Sequence, residues 1–364
     1  MESKEYLSEQ IITYLGNKRS LLKEIEKEII KIKKKLKKEK IVSCDLFSGS
    51  GIVARMLKQH SSKIIANDLE EYSYLINKCY LSNKKDFNFD EYNKYLNYLN
   101  NKCATEPYIG LITKTYAPKD ENNITVNDRV FYTRDNAIFI DSFRKYIEEI
   151  PSPYRDFFLC QLITEASIHT NTSGIFKGFY KNRETGLGMY GGIGQNALKR
   201  IKGKIEIKVP VFSEYETEYV VTKMDAVELS KQVVSDVVYI DPPYNQHPYG
   251  ANYFMLNVII NNEITSNISK VSGIPDNWNH STFNYKKTAL DSFEEIIRNL
   301  KTSYIVISYN NEGFITYEQM VQMLKKYGKV ETRRIKYNAF RGSRNLSGRD
   351  LYTNEYLFIV KKEK

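Results

Sequence analysis

Apolar and polar positions divide the chain into two kinds of sequence. Val237, Val238, Tyr239 and Ile240 are apolar at consecutive positions in a short run, which predicts a strand covered on both faces. Asp241-Pro242-Pro243-Tyr244 ends it, because two prolines cannot continue a ladder. Near the start, Leu21, Leu22, Ile25, Ile29, Ile32 and Leu36 recur at the 3.6-residue period. They predict a helix beginning near Ser20, with a lysine-rich, solvated opposite face running to Lys40. A strand, a glycine turn and a helix follow over 41–57, then a strand over 63–67 that ends in Asp68, and a helix over 70–81. The same grammar resumes late in the chain. Strands are predicted over 218–222, 303–310, 330–335 and 355–360, and helices over 227–231, 288–300 and 316–326. Strands alternating with helices predict an α/β fold.

Residues 82–210 have a different character. They are rich in Asn, Tyr, Lys, Gly and Thr, their periodicity is irregular, and they read as a loop-rich insertion. The division is therefore a core made of residues 1–84 and 211–364, with residues 85–210 inserted into it. Within the insertion, Lys177, Tyr180, Lys181 and Arg183 interleave cations with aromatic rings, and residues 186–194 contain five glycines. Such a segment suits phosphate contact and base-edge reading, and it also suits an insertion packed by its own aromatics. Residues 245–253, polar and aromatic, read as a loop. His247 within it is either a general base or a residue holding local geometry.

Composition narrows the setting. The 364 residues carry 41% hydrophobic and 13% aromatic side chains, values of a globular chain with a substantial core. No apolar run approaches the roughly 18 residues that span a bilayer, and the first residues lack a signal-peptide pattern, so a soluble cytoplasmic protein is expected. The 4 cysteines form no CxxC pair, and the 4 histidines share no helical spacing, so neither a disulfide framework nor a bound metal is expected. The net charge of +10, with 29 tyrosines, suits a polyanionic partner, although an AT-rich genome favours the same residues.

The candidate chemistry sits at strand ends. In open α/β sheets ligands bind at the carboxyl edge, where Asp241 and Tyr244 are placed. Gly49 and Gly51 let the backbone turn tightly and approach a ligand, and Asp68, at the end of the next strand, is placed to bind ribose hydroxyls. Gly49-x-Gly51-x-x-Ala54 by itself fits an NAD site equally well.

Taken together and in order, these segments resemble the Dam-like DNA adenine-N6 methyltransferases of restriction-modification systems. Tyr14-x-Gly16-x-Lys18 is similar to the family's N-terminal cofactor motif, Phe47-x-Gly49-x-Gly51 to its glycine loop, and Asp241-Pro242-Pro243-Tyr244 to its catalytic motif. The resemblance implies a seven-stranded, Rossmann-like S-adenosylmethionine-dependent methyltransferase sheet with an inserted target-recognition region. It implies S-adenosylmethionine, and no metal, held by Tyr14, Lys18, Asp45, Phe47, Ser48, Gly49, Gly51, Asp68, Asp225 and Asp241. Asp241, Pro242, Pro243 and Tyr244 would be catalytic, with Asp241 and the Pro242 carbonyl accepting hydrogen bonds from the target amine and Tyr244 stacking on the base. Lys177, Tyr180, Lys181, Arg183, Arg341 and Arg344 would touch double-stranded DNA, and a cognate restriction endonuclease would act separately. The insertion, about 155 residues between Asp68 and Asp225, contains no recognisable module, so the target sequence stays open. An N4-cytosine enzyme is the alternative on the same fold, but its motif usually begins with Ser. A non-catalytic DNA-binding relative is the alternative from another class.

Overall fold

The computed structural model describes residues 2–8, 11–338 and 352–363. Strands β1 (Ile41–Asp45), β2 (Ser61–Asp68), β3 (Glu218–Lys223), β4 (Val234–Ile240) and β5 (Lys301–Asn310) pair in parallel. Strands β6 (Gly328–Asn338) and β7 (Tyr352–Lys362) complete a seven-stranded sheet in the order β3-β2-β1-β4-β5-β7-β6. Within that sheet only β7 runs against its neighbours, β5 and β6. The strand order reverses between β1 and β4, so their carboxyl ends open a crevice there.

The continuous apolar run of β4 is explained by burial on two sides. Val237 and Tyr239 belong to one core, with Ile25, Ile29, Val53 and Leu57. Val238 and Ile240 point into the other, with Leu229, Phe293, Met320 and Leu324. The first core is covered by α2 (Leu22–Leu36) and α3 (Ile52–Lys58), preceded by the short α1 (Lys4–Ser8). Every residue of α3 is buried, and both of its cations donate to carbonyls: Arg55 Nη1 to Tyr6 at 2.6 Å, and Lys58 Nζ to Leu81 and Ser82 at 2.8 Å.

After α4 (Glu71–Tyr80) the structure corrects the sequence reading. The first half of the insertion is helical: α5 (Phe89–Thr105), α6 (Leu111–Tyr116), α7 (Arg134–Ile147) and α8 (Tyr154–Ile168). The side chains of Asn88 and Thr133 cap α5 and α7, and Asp141 of α7 accepts the N–H groups of Gly110, Ile112 and Thr113 at 2.9, 2.9 and 2.8 Å. No 3.6-residue stripe announced α8 because it is buried nearly all round, leaving no polar face. The second half is largely irregular, as expected, with the single-turn α9 (Leu198–Lys202). The helices share one core with the rest of the chain: Tyr92, Phe143 and Phe158 pack in the same cluster as Tyr72 and Ile76 of α4.

The remaining helices are α10 (Ala226–Ser230), α11 (Tyr249–Asn252), α12 (Phe254–Asn261), α13 (Ala289–Asn299) and α14 (Tyr317–Leu324). Of these, α10, α13 and α14 cover the second face of the sheet, whereas α12 packs in the core of the insertion. The expected loop over 245–253 is thus shorter than predicted. Pro248, with φ −65°, has its carbonyl receive the Asn252 N–H at 3.1 Å and so starts α11. No helix among the described residues is long and apolar enough to cross a membrane.

Candidate active site

The turn after β1 brings Gly49 to φ +50°, and its N–H donates to Asp68 Oδ2 at 2.8 Å. Asp68 Oδ1 accepts the Glu70 N–H at 3.0 Å, so the end of β2 and the glycine turn are tied through one carboxylate. Ser73 Oγ donates to the Gly49 carbonyl at 2.6 Å, and Asn77 Nδ2 to Ser48 Oγ at 3.0 Å, which pins the turn from α4. Tyr14 lies over the turn: a Cβ on Gly49 would fall 2.6 Å from its Cε1. Of these residues, Tyr14, Ser48, Gly49, Asp68 and Glu70 line a cleft with about 890 Å³ of free space, part of it open to solvent.

The cleft brings together Tyr14, Lys18, Asp45, Phe47, Ser48, Gly49, Asp68, Asp225, Asp241 and Pro243. Gly51 is not among its walls. It turns at φ +76° toward Asn77, with the Asn77 Oδ1 2.7 Å from where a Cβ would sit, and opens α3. Pro242 and Tyr244 also stand outside the lining, and Tyr244 packs edge-on against Tyr309 with ring centroids 6.3 Å apart. Asp225 caps α10, accepting from Val227 N–H at 2.8 Å. Phe47 meets Phe283 edge-to-face at 5.2 Å, and the two form an apolar wall.

The cleft is acidic on its inner side. Asp45 is 1% exposed, no side chain donates to its oxygens, and the backbone N–H groups of Ala54 and Phe47 are what favour its ionised form. Burial, with the nearby charges of Asp241 and Asp68, holds its pKa well above the ordinary carboxylate value. Burial also raises Asp68, against the backbone N–H groups that favour its ionised form. Glu70, which sequence reasoning missed, is pushed up to about 7 by burial and by Asp68, and accepts from Asn257 Nδ2 at 2.9 Å.

At the mouth, Asp241 Oδ1 stands 2.9 Å from the Lys18 ammonium, and its side chain keeps 18% of its surface exposed. Lys18 Nζ also reaches the Gly16 carbonyl at 3.0 Å and Glu355 Oε1 at 3.4 Å. Burial opposes the charge on Lys18, but Asp241 and Glu355 more than offset it and hold its pKa well above the usual lysine value. Asp241 is raised to about 6 by burial, with Lys18 pulling it down and Glu355 up. The segment carrying Lys18 is fixed by aromatic clamps from α11 and the residue after it. Tyr14 stacks on both Tyr249 and Tyr253 at 5.0 Å, Tyr253 Oη accepts the Leu15 N–H at 2.8 Å, and Tyr249 Oη donates to the Leu15 carbonyl at 2.9 Å.

The basic segment of the insertion reaches the same neighbourhood. Lys177 Nζ lies 3.1 Å from His247 Nδ1, just past the Pro-Pro turn, and burial with the Lys177 charge lowers the His247 pKa. Lys181 and Arg183 are exposed, with Lys181 over the Phe179 ring at 5.0 Å, and Tyr180 is half-buried. Arg341 and Arg344 lie outside the described residues. Tyr249, Phe283 and Glu355 were not singled out from the sequence. Glu355 lies inside a strand pattern where an acid reads as a solvent-facing position, and Tyr249 lay in an expected loop.

Residues 14–323 match the D12 class N6 adenine-specific DNA methyltransferases. The chain belongs to that family. The enzyme is 30% identical over 359 residues to the type II methyltransferase M.NlaIII of Neisseria lactamica, covering 96% of this chain and 99% of the relative. It is 32% identical over 357 residues to the type II methyltransferase M.CviAII of Paramecium bursaria Chlorella virus 1, covering 96% and 98%. Its likeness to the type II methyltransferase M.FokI of Planomicrobium okeanokoites, 27% identical, covers 96% of this chain but 52% of that longer protein. The enzyme is thus an adenine-specific DNA methyltransferase with relatives in type II restriction-modification systems.

Proposed function

We propose that the cleft binds S-adenosylmethionine and that Asp241, with the Pro242 carbonyl, receives the N6 amine of an adenine flipped out of duplex DNA. The observation that carries this reading is the placement of Asp241 at the mouth of the same cleft whose inner walls are Gly49, Asp68 and the buried Asp45 carboxylate. The cleft's chemistry fits the cofactor. Asp68 offers acceptors for ribose hydroxyls, Phe47 and Phe283 offer a face for the adenine ring, and the buried carboxylate of Asp45 suits a cationic amino group. When bound, the cofactor supplies an activated methyl group on a sulfonium.

The chain's own residues then supply alignment and electrostatics. The N6 lone pair is delocalised into the ring, so the amine is a poor nucleophile. Acceptors aimed at both of its hydrogens favour a pyramidal nitrogen, and preorganised acceptors act most strongly in a dry site. The two prolines hold the Asp241 carboxylate and the Tyr244 ring at a fixed separation. Tyr244 stacks on the extruded base, an interaction worth about 1–3 kcal/mol. Residues 85–210 form the target-recognition region, with Lys177, Tyr180, Lys181 and Arg183, and with Arg341 and Arg344 from the C-terminal part, on the DNA. By analogy with its type II relatives, the enzyme protects cytoplasmic host DNA against a cognate endonuclease. Incubating duplex DNA with tritium-labelled S-adenosylmethionine labels N6-methyladenine on this reading. Label found only in N4-methylcytosine would overturn it.

A further inference from the structure

Lys18 has three ammonium protons and three oxygens around it: the Gly16 carbonyl at 3.0 Å, Asp241 Oδ1 at 2.9 Å and Glu355 Oε1 at 3.4 Å. With Lys18 4% exposed, a donor without a partner would be costly, so the three oxygens together fix where the ammonium sits. Two of them are carboxylates, and one is the residue placed to receive the target amine. Glu355 is itself anchored. It lies on β7 opposite Asn310 of β5, is 1% exposed, and accepts a hydrogen bond from Ser308 Oγ.

We propose that Glu355 is a positioning residue for methyl transfer: by sharing the Lys18 ammonium, it keeps the Asp241 carboxylate fixed at the cleft mouth and only partly neutralised. The proposal rests on the reading of Asp241 as the amine acceptor. Its physical content is a division of one positive charge between two negative ones. If Asp241 were the one carboxylate on Lys18, the ammonium would draw the carboxylate's charge away from the substrate amine, with the Gly16 carbonyl as its one other holder. With Glu355 holding the same ammonium, Asp241 retains acceptor strength. The direction of the Asp241 pKa agrees, since Glu355 raises it while Lys18 lowers it. The other groups facing Asp241 among the described residues are Asp45 from β1, Tyr239 from β4, Tyr244 from the following turn and Tyr249 from α11. None of these four carries a positive charge that could replace Lys18.

Three variants test this in the full-length enzyme with duplex DNA. Glu355→Gln keeps the shape and removes the charge. It lowers kcat on the order of 10²-fold, leaves the KM for S-adenosylmethionine and for DNA little changed, and moves the acid limb of the kcat profile to lower pH. Glu355→Asp restores the acid limb toward its wild-type position. Ser308→Ala, which loosens Glu355 without altering any charge, lowers kcat in the same direction by less, and it carries the test if Glu355→Gln does not fold. Wild-type kcat and pH profile in the folded variants overturn the proposal, as does a loss of activity that appears in KM with the acid limb unmoved. Wild-type kcat in Asp241→Asn overturns the underlying reading of Asp241 instead, so the two failures are distinguishable.

Discussion

The ring of Tyr14 sits directly on Gly49, closing over the turn so tightly that a methyl group there would stand 2.6 Å from the ring. Two segments far apart in the chain therefore form one surface, and glycine is required twice, once for the close approach and once for φ +50°. Gly49→Ala is expected to cost about 1–2 kcal/mol in stability from the backbone alone. Displacing Tyr14 adds a fall in cofactor affinity of about tenfold or more. Thermal melting and calorimetric titration with S-adenosylmethionine check the two effects separately.

Asp241→Asn tests the acceptor role. The amide fills the same space and keeps one acceptor oxygen, but it replaces the other with an NH2 donor and loses the charge. The expected result is a kcat about 10²–10³-fold lower, with duplex binding unchanged in a filter or anisotropy assay. DNA binding that collapsed together with kcat would instead mark Asp241 as structural.

The pH dependence follows from the same residue. When ionised, Asp241 is a charged group that only accepts hydrogen bonds, whereas protonation turns one of its oxygens into a donor, and burial raises its pKa to about 6. Activity is therefore complete above that value and falls as pH drops through it, well above the range of an exposed aspartate. Single-turnover rates between about pH 5 and 8 measure the limb, and its absence from the residual activity of Asp241→Asn assigns it.

In the insertion, Asp141 alone serves the N–H groups of Gly110, Ile112 and Thr113. Asp141→Ala leaves these donors unsatisfied in a buried place and is expected to cost about 3 kcal/mol or more. Because the insertion helices share a core with α4 and α12, unfolding is expected to remain one transition shifted to lower denaturant. Two separated transitions would show an independently folding insertion.

The basic segment predicts a salt effect. Replacing Lys177, Lys181 and Arg183 with Ala weakens duplex binding and reduces the slope of log K against log salt by about 0.9 for each phosphate that is no longer neutralised. An unchanged slope would remove these residues from the DNA surface.

The sheet and the cleft were legible because their signals are local. The apolar run of β4, the glycine turn and the acid ending β2 each follow from a few adjacent residues, and their order carried the resemblance. The helices of the insertion were not legible for a physical reason. In α8 nearly every side chain is buried, so no polar face marks the period, and α5 mixes Tyr with Asn, which read poorly as either core or surface. Glu355 and Glu70 were missed because their importance lies in partners distant in sequence, Lys18 and Asn257, that only the fold brings close.

One consequence of β7 concerns time. Lys18 is made early and Glu355 late in synthesis, and β7 must pair with β5 before the two meet. In a growing chain the residues of the glycine turn are thus in place long before Glu355 can reach the Lys18 ammonium beside Asp241. Translation itself would then delay modification until the whole sheet is assembled.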